Sequence, residues 1–192
     1  MFSEPTMTNQ PWVMLNGQLI RRDEASVSVL DRGFIFADGV YEVIRFYDGV
    51  GLGISEHLQR LHESMRAIDL NHAWDEAILR KQITLLLEAN GLIHASVYIQ
   101  LTRGPAMRTH HFPTESTAPT MFLMANPTPA LHDEPLEDVR TAITLPDQRW
   151  PCNRIKSISL LANVLAAEQG RQRGADDVIL VRRDGTISEA PQ

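Results

Sequence analysis

The sequence predicts an α+β chain in two parts, and three observations carry the prediction. Apolar residues alternate with polar ones in several short stretches and recur three and four apart in longer ones, so strands and helices are interleaved. Near the start, Asn16-Gly17 separates two short apolar runs, the strongest short-range signal for a hairpin. A proline-rich stretch, Asn126-Pro127-Thr128-Pro129 followed by Pro135, marks a linker. The expected divisions are a flexible tail over 1–11, a small α+β domain over 12–125, a linker over 126–136, and a second domain beginning at 137.

Each element has its own justification. Residues 12–15 and 18–20 form the hairpin, and 26–30 alternate as a further strand. Residues 40–47 make a longer strand, with Tyr41, Val43, Arg45 and Tyr47 on one face and Val40, Glu42, Ile44 and Phe46 on the other. Glu42 and Arg45 therefore cannot pair across that strand, and one of them points toward an interior or a site. The glycines at 49, 51 and 53 fit neither a dinucleotide fingerprint nor a phosphate loop, and Asp48-Gly49 reads as a plain turn. A helix follows, with Ser55 as the expected N-cap and a buried stripe of Leu58, Leu61, Met65 and Ile68 that leaves His57 and Arg60 to one side. A second helix over about 74–89 is expected to bury Ile78, Leu85 and Leu86 and to stop at Asn90-Gly91. Residues 95–102 alternate again, with Val97, Ile99 and Leu101 on one face, and 120–125 is an apolar strand. The second part reads as a strand near 139–144, a helix ending at about 173–174, a strand over 177–181 and a turn at Asp184-Gly185.

Composition excludes several classes. With 192 residues, 43% apolar and 22% charged, the chain can build a sizeable core. A net charge of -6 gives no footprint for nucleic acid or an anionic membrane. No apolar run approaches the ~18 residues of a membrane span, and the first residues carry no targeting pattern, so a cytoplasmic protein is expected. The single cysteine, Cys152, permits no internal disulfide, and the histidines have no metal-ligand spacing.

Two stretches carry chemistry. Lys156 lies between Ile155 and Ile158, with Leu160, Leu161, Val164 and Leu165 following at helical spacing. A lysine near a helix start is usually a solvated charge, but apolar surroundings favour the neutral, nucleophilic amine, which makes this a candidate Schiff-base lysine. The loop after Thr102 brings Arg103, Arg108, His110 and His111 close together. An arginine and a histidine one residue apart make a natural carboxylate clamp, against the plainer reading of a solvated loop.

Four stretches taken together resemble the class IV, fold-type IV pyridoxal-phosphate aminotransferases: Asp31-Arg32-Gly33-Phe34-Ile35-Phe36-Ala37-Asp38-Gly39-Val40-Tyr41-Glu42-Val43-Ile44-Arg45, Glu56-His57-Leu58-Gln59-Arg60-Leu61, Ile155-Lys156-Ser157 and Gly185-Thr186-Ile187-Ser188-Glu189. Arg108 and His110 are similar to the clamp of the D-amino-acid (D-alanine) transaminases within that family. The resemblance implies the two-domain fold of that family, pyridoxal 5'-phosphate as cofactor, and Lys156 as the Schiff-base lysine and proton carrier. It implies Arg60 for the phosphate, Glu189 for the pyridine nitrogen, and Tyr41 for the substrate carboxylate. Arg108 and His110 would be contributed by the other subunit of a homodimer. Glu42 and Arg149 match site-lining positions. The substrates implied are an amino acid and a 2-oxo acid. Branched-chain transaminase and aminodeoxychorismate lyase are the alternatives within the fold. Family members continue past the glutamate, where this sequence reads Ala190-Pro191-Gln192, so the second domain is expected to be incomplete; a C-terminally truncated, non-catalytic homologue is a further alternative.

Overall fold

The Asn16-Gly17 turn forms as expected, with φ of 50° and 80°, and joins β1 (Trp12–Leu15) to β2 (Gln18–Arg21) in antiparallel register. The structure is a computed structural model that describes residues 11–72, 75–114, 117–131 and 140–190; the expected tail lies almost wholly outside them. Residues 26–30 form no strand. The Ser28 hydroxyl accepts from the Leu30 amide and the Ser28 carbonyl from the Asp31 amide, so local hydrogen bonds turn the chain where its alternation suggested extension. The turn leads into a short helix that the periodicity did not announce, α1 (Arg32–Phe36), capped by the Asp31 carboxylate on the Gly33 amide and ended by Ala37 in the left-handed conformation.

β3 (Gly39–Tyr47) divides its faces as expected, with Val40, Glu42, Ile44 and Phe46 buried. Asp48 and Gly49, both at positive φ, fold it back onto the two-residue β4 (Val50–Gly51). α2 (Ile54–Ala67) buries Leu58, Leu61, Ser64 and Met65. Its N-cap is Gly53, not Ser55, whose hydroxyl instead accepts from Arg80. α3 (Glu76–Asn90) is capped by Asp75 and ended by Gly91 in the left-handed conformation. It buries Leu79, Ile83, Leu86 and Leu87, while Ile78 and Leu85 are 53% and 46% exposed. The expected face is thus rotated by about one residue, because the helix is apolar over a wide arc and its neighbours select the part that is covered. The expected start at Trp74 falls outside the described residues.

β5 (Ala95–Thr102) and β6 (Thr120–Pro127) complete a six-stranded antiparallel sheet in the order β2-β1-β6-β5-β3-β4. Met14, Leu123, Ile99 and Glu42 stand side by side across four strands, each fully buried in the core that α2 and α3 share with the sheet. One member of that apolar row is a carboxylate. Tyr41, Gln100 and Phe122, one position along, face the other way.

This sheet and its helices belong to one unit, Met1–Leu131 with Arg154–Ile158; His132–Asn153 and Ser159–Gln192 form a second. The division differs from the expected one at 154–158, and the reason is an open strand edge. β4 covers only Phe46 and Tyr47 of β3, and the segment around Lys156 takes the free stretch through a Val40–Ser157 bridge.

In the second unit, β7 (Ala142–Pro146) runs parallel to β8 (Asp177–Val181), and β9 (Ile187–Glu189) joins β8 antiparallel. α4 (Leu161–Gln172) packs on β8, where a Cβ on Gly170 would stand 2.6 Å from the Val178 side chain. Leu145, Val178 and Leu180 make its small core with Ile143 and Ala166. Leu161, Val164 and Leu165 are exposed in this unit. No helix among the described residues is long and apolar enough to cross a membrane.

Candidate active site

Lys156 is placed by backbone before its side chain does anything. Its carbonyl accepts from the Tyr41 amide at 2.9 Å, the Ile158 amide donates to the Gly39 carbonyl at 3.1 Å, and its own amide donates to the Ser64 hydroxyl on α2 at 3.2 Å. Ile155 is buried in the first unit's core. The partly buried Nζ donates to the Tyr41 hydroxyl at 3.2 Å and lies 4.3 Å from the centre of that ring. Tyr41 in turn stacks on Tyr98 at 5.5 Å, whose hydroxyl donates to Gln100 at 2.8 Å. Burial first, and then the nearby Tyr41, push the Tyr98 phenol up to about 12. Tyr98, Gln100 and Phe122 also line a cavity of about 570 Å³ that Ile158 borders.

The neighbouring residue on β3 serves the opposite face. The fully buried Glu42 carboxylate accepts from Arg60 Nε at 2.5 Å and Nη2 at 2.8 Å, and from His57 Nδ1 at 2.9 Å. Burial alone would raise this carboxyl, but the hydrogen bonds from Arg60 and His57 outweigh it and hold the group below its ordinary value. The Arg60 side chain is 50% exposed, so one edge of the guanidinium is fixed and the other is open.

Arg108 and His110 are both exposed and lie against Phe36, with the Arg108 Cζ 5.3 Å and the His110 ring 5.5 Å from its centre. In the second unit, Arg149 binds Asp147 through Nε and Nη2 at 3.0 Å each and also donates to Glu189, while the Ser188 hydroxyl donates to Asp147 at 2.7 Å. Arg149, followed by Ser188, holds the Asp147 carboxyl well below the usual carboxylate range despite an opposing contribution from burial. Asp147 and Arg149 border a cavity of about 1070 Å³ that Trp150, Asn153, Arg182 and Arg183 also line.

The residues singled out from the sequence therefore meet in four groups: Tyr41 with Lys156, Glu42 with Arg60, Arg108 with His110, and Arg149 with Glu189. Sequence reasoning did not assign His57, Ser64, Tyr98, Asp147 or Ser188 to a site. His57 was the most accessible of these, because it precedes Arg60 by three residues on a helix and must share its face.

Comparison with known proteins shows the family and the fold. The sequence matches the family described as amino-transferase class IV over residues 39–192. It is 38% identical over 177 residues to a D-alanine aminotransferase of Staphylococcus epidermidis, covering 90% of this chain and 61% of that protein. The fold superposes on a branched-chain amino acid aminotransferase from Escherichia coli with a TM-score of 0.79 at 20% identity, covering 95% of this chain and 61% of the other. It also superposes on the pyridoxal-phosphate-bound form of a hypothetical aminotransferase from Mycobacterium tuberculosis, with a TM-score of 0.75 at 23% identity, covering 94% and 65%. The fold is thus that of the fold-type IV aminotransferases, in which the chain accounts for under two thirds of each of these proteins. The chain belongs to the class IV aminotransferase family.

That class depends on pyridoxal phosphate, and the side chains present suit it. The cofactor needs an amine for its aldehyde, a cation for its phosphate and an acid near its ring nitrogen. In the first unit the half-buried Lys156 amine and the open edge of Arg60 are groups of the first two kinds, and in the second unit, taken by itself, the Glu189 carboxylate is a group of the third.

Proposed function

We propose that the protein is a pyridoxal-phosphate-dependent transaminase of D-amino acids, exchanging the amino group of D-alanine with 2-oxoglutarate to give pyruvate and D-glutamate. The observation that carries the reading is the Lys156 amine held 3.2 Å from the Tyr41 hydroxyl. The relative from Staphylococcus epidermidis, a D-alanine aminotransferase at 38% identity, supports the choice of substrate; the branched-chain structure, at 20%, shares the fold alone.

When bound, the cofactor supplies an electron sink for charge developing at the substrate α-carbon. The remaining work falls to the chain's own groups. Lys156, as the neutral amine, would take the α-proton of the amino-group donor at Nζ and, in the second half-reaction, deliver a proton to the α-carbon of the new amino acid, with the Tyr41 hydroxyl fixing where Nζ points. Arg60, braced by Glu42, would hold the phosphate end, and the Glu189 carboxylate, held by Arg149, would favour the protonated ring nitrogen. Tyr41 and a second copy's Arg108 and His110 hold the substrate carboxylate, which orients the α-carbon and makes the active form a homodimer.

The test is the visible spectrum of the purified chain with added pyridoxal phosphate, beside that of Lys156→Ala. A visible band absent from the variant, which D-alanine discharges and L-leucine does not, is the expected result. A spectrum identical in the two proteins sinks the catalytic reading and leaves a non-catalytic homologue.

A further inference from the structure

An exposed loop gives two long polar side chains no reason to stay in register, yet those of Arg108 and His110 share one support. Phe36, the last residue of α1, has the Arg32 Cζ 4.8 Å and the Arg108 Cζ 5.3 Å from its ring centre, and the His110 ring centre at 5.5 Å. The negative face of an aromatic ring attracts a guanidinium, and a flat apolar surface limits the rotamers of whatever lies on it.

The backbone beneath is tied down independently. Arg32, itself buried, donates from Nη1 to the carbonyl of Thr109, the residue between the pair, at 2.8 Å, and from Nε to Asp38 at 2.8 Å. Asp38 also receives Arg103, at the root of the loop, through Nε at 2.8 Å and Nη2 at 3.0 Å. Arg103 in turn lies 3.8 Å from the centre of the Phe112 ring. Root, middle and far end of the loop are all secured to the same ion cluster.

We propose that Phe36 is a positioning residue for the carboxylate clamp, holding Arg108 and His110 side by side before substrate arrives. Discrimination for the substrate carboxylate then depends on α1 as well as on the loop. The proposal rests on the reading above that Arg108 and His110 bind that carboxylate, and it extends that reading to the residue that supports them.

Phe36→Leu keeps apolar bulk and removes the aromatic face; Phe36→Tyr keeps the face. With pyridoxal phosphate added to the full chain, two readouts decide. In solution NMR, the Arg108 and His110 side-chain signals lose their ring-current displacement in Phe36→Leu, and amides 107–111 exchange several-fold faster; Phe36→Tyr retains both features. This readout needs no turnover. In steady state, the KM for D-alanine rises roughly threefold to tenfold in Phe36→Leu, the range expected from one or two lost cation–aromatic contacts, while kcat stays within about twofold and Phe36→Tyr restores KM. Unchanged signals in Phe36→Leu, or equal impairment of Leu and Tyr variants, overturn the proposal. Arg108→Ala separates it from the reading beneath: raised KM in Arg108→Ala but not in Phe36→Leu defeats the positioning role alone, and unchanged KM in Arg108→Ala defeats both.

Discussion

A double-mutant cycle on Glu42 and Arg60 gives the most discriminating test of the core. Glu42 is fully buried in a row with Ile99, Leu123 and Met14, and its carboxylate is matched by Arg60 and His57. Removing one partner of a buried pair costs about 3–5 kcal/mol; Arg60 is 50% exposed and reaches water easily, so Arg60→Ala belongs at the lower end, about 3 kcal/mol. In a Glu42→Gln background no buried charge is stranded, and the same substitution should cost about 1 kcal/mol, the worth of ordinary hydrogen bonds. The expected coupling is therefore about 2 kcal/mol. Urea denaturation of the cofactor-free chain at pH 7 measures it, and a coupling below about 0.5 kcal/mol would refute the argument. Acid gives a second check. The folded carboxyl lies below its ordinary value of 4.5, so its stabilisation is present above that value and disappears as pH falls through the folded one. The wild-type chain should lose stability to acid more steeply than Glu42→Gln.

Three further outcomes follow from the same structure. Asp38→Asn strands the buried Arg32 and Arg103 guanidinium groups and should cost about 3–5 kcal/mol in urea denaturation. Burial pushes Asp38 up but Arg103 and Arg32 pull it net below 3.8, so its contribution, too, is lost toward acid. Tyr98→Phe should flatten the alkaline limb of the stability curve: the wild-type phenol stays protonated to about 12 when folded but ionises from 10 when unfolded, so stability falls across that interval as pH rises. Gly104→Ala should lower stability by about 2–4 kcal/mol in a thermal melt, since φ is +86° and the new Cβ would stand 2.1 Å from the Ala118 carbonyl oxygen.

What was legible in the sequence was what depends on local period. The hairpin, the two faces of β3 and the buried stripe of α2 follow from spacing alone. The misreadings arise where local pattern is ambiguous. Ser26 to Leu30 alternates like a strand, but a serine side chain offers its backbone a turn. α3 carries Ile78, Leu79, Ile83, Leu85, Leu86 and Leu87, so period identifies the helix without choosing its face. Within the candidate site, Lys156 and Tyr41 stood out through motif and resemblance, whereas the Asp38–Arg103 pair joins residues 65 positions apart. It becomes visible only from register: Gly39 opposes Thr102, and Asp38 and Arg103 are the next residue beyond each.

Register also explains why one strand can serve both core and site. Tyr41 and Glu42 are consecutive, and a strand sends consecutive side chains to opposite faces. Tyr41 thereby meets Lys156 while Glu42 braces Arg60 from within the core. A slip of one residue would bury the tyrosine and expose the carboxylate, undoing both groups together. Two constraints resist that slip. β3 pairs with β5 along eight consecutive positions, from Gly39 with Thr102 to Phe46 with Ala95, and its free edge is held to the lysine segment at Val40 and Ser157. The bridge that brings Lys156 to Tyr41 is also the contact that fixes which way Glu42 points, so the geometry of the lysine and the bracing of the arginine are set by one backbone alignment.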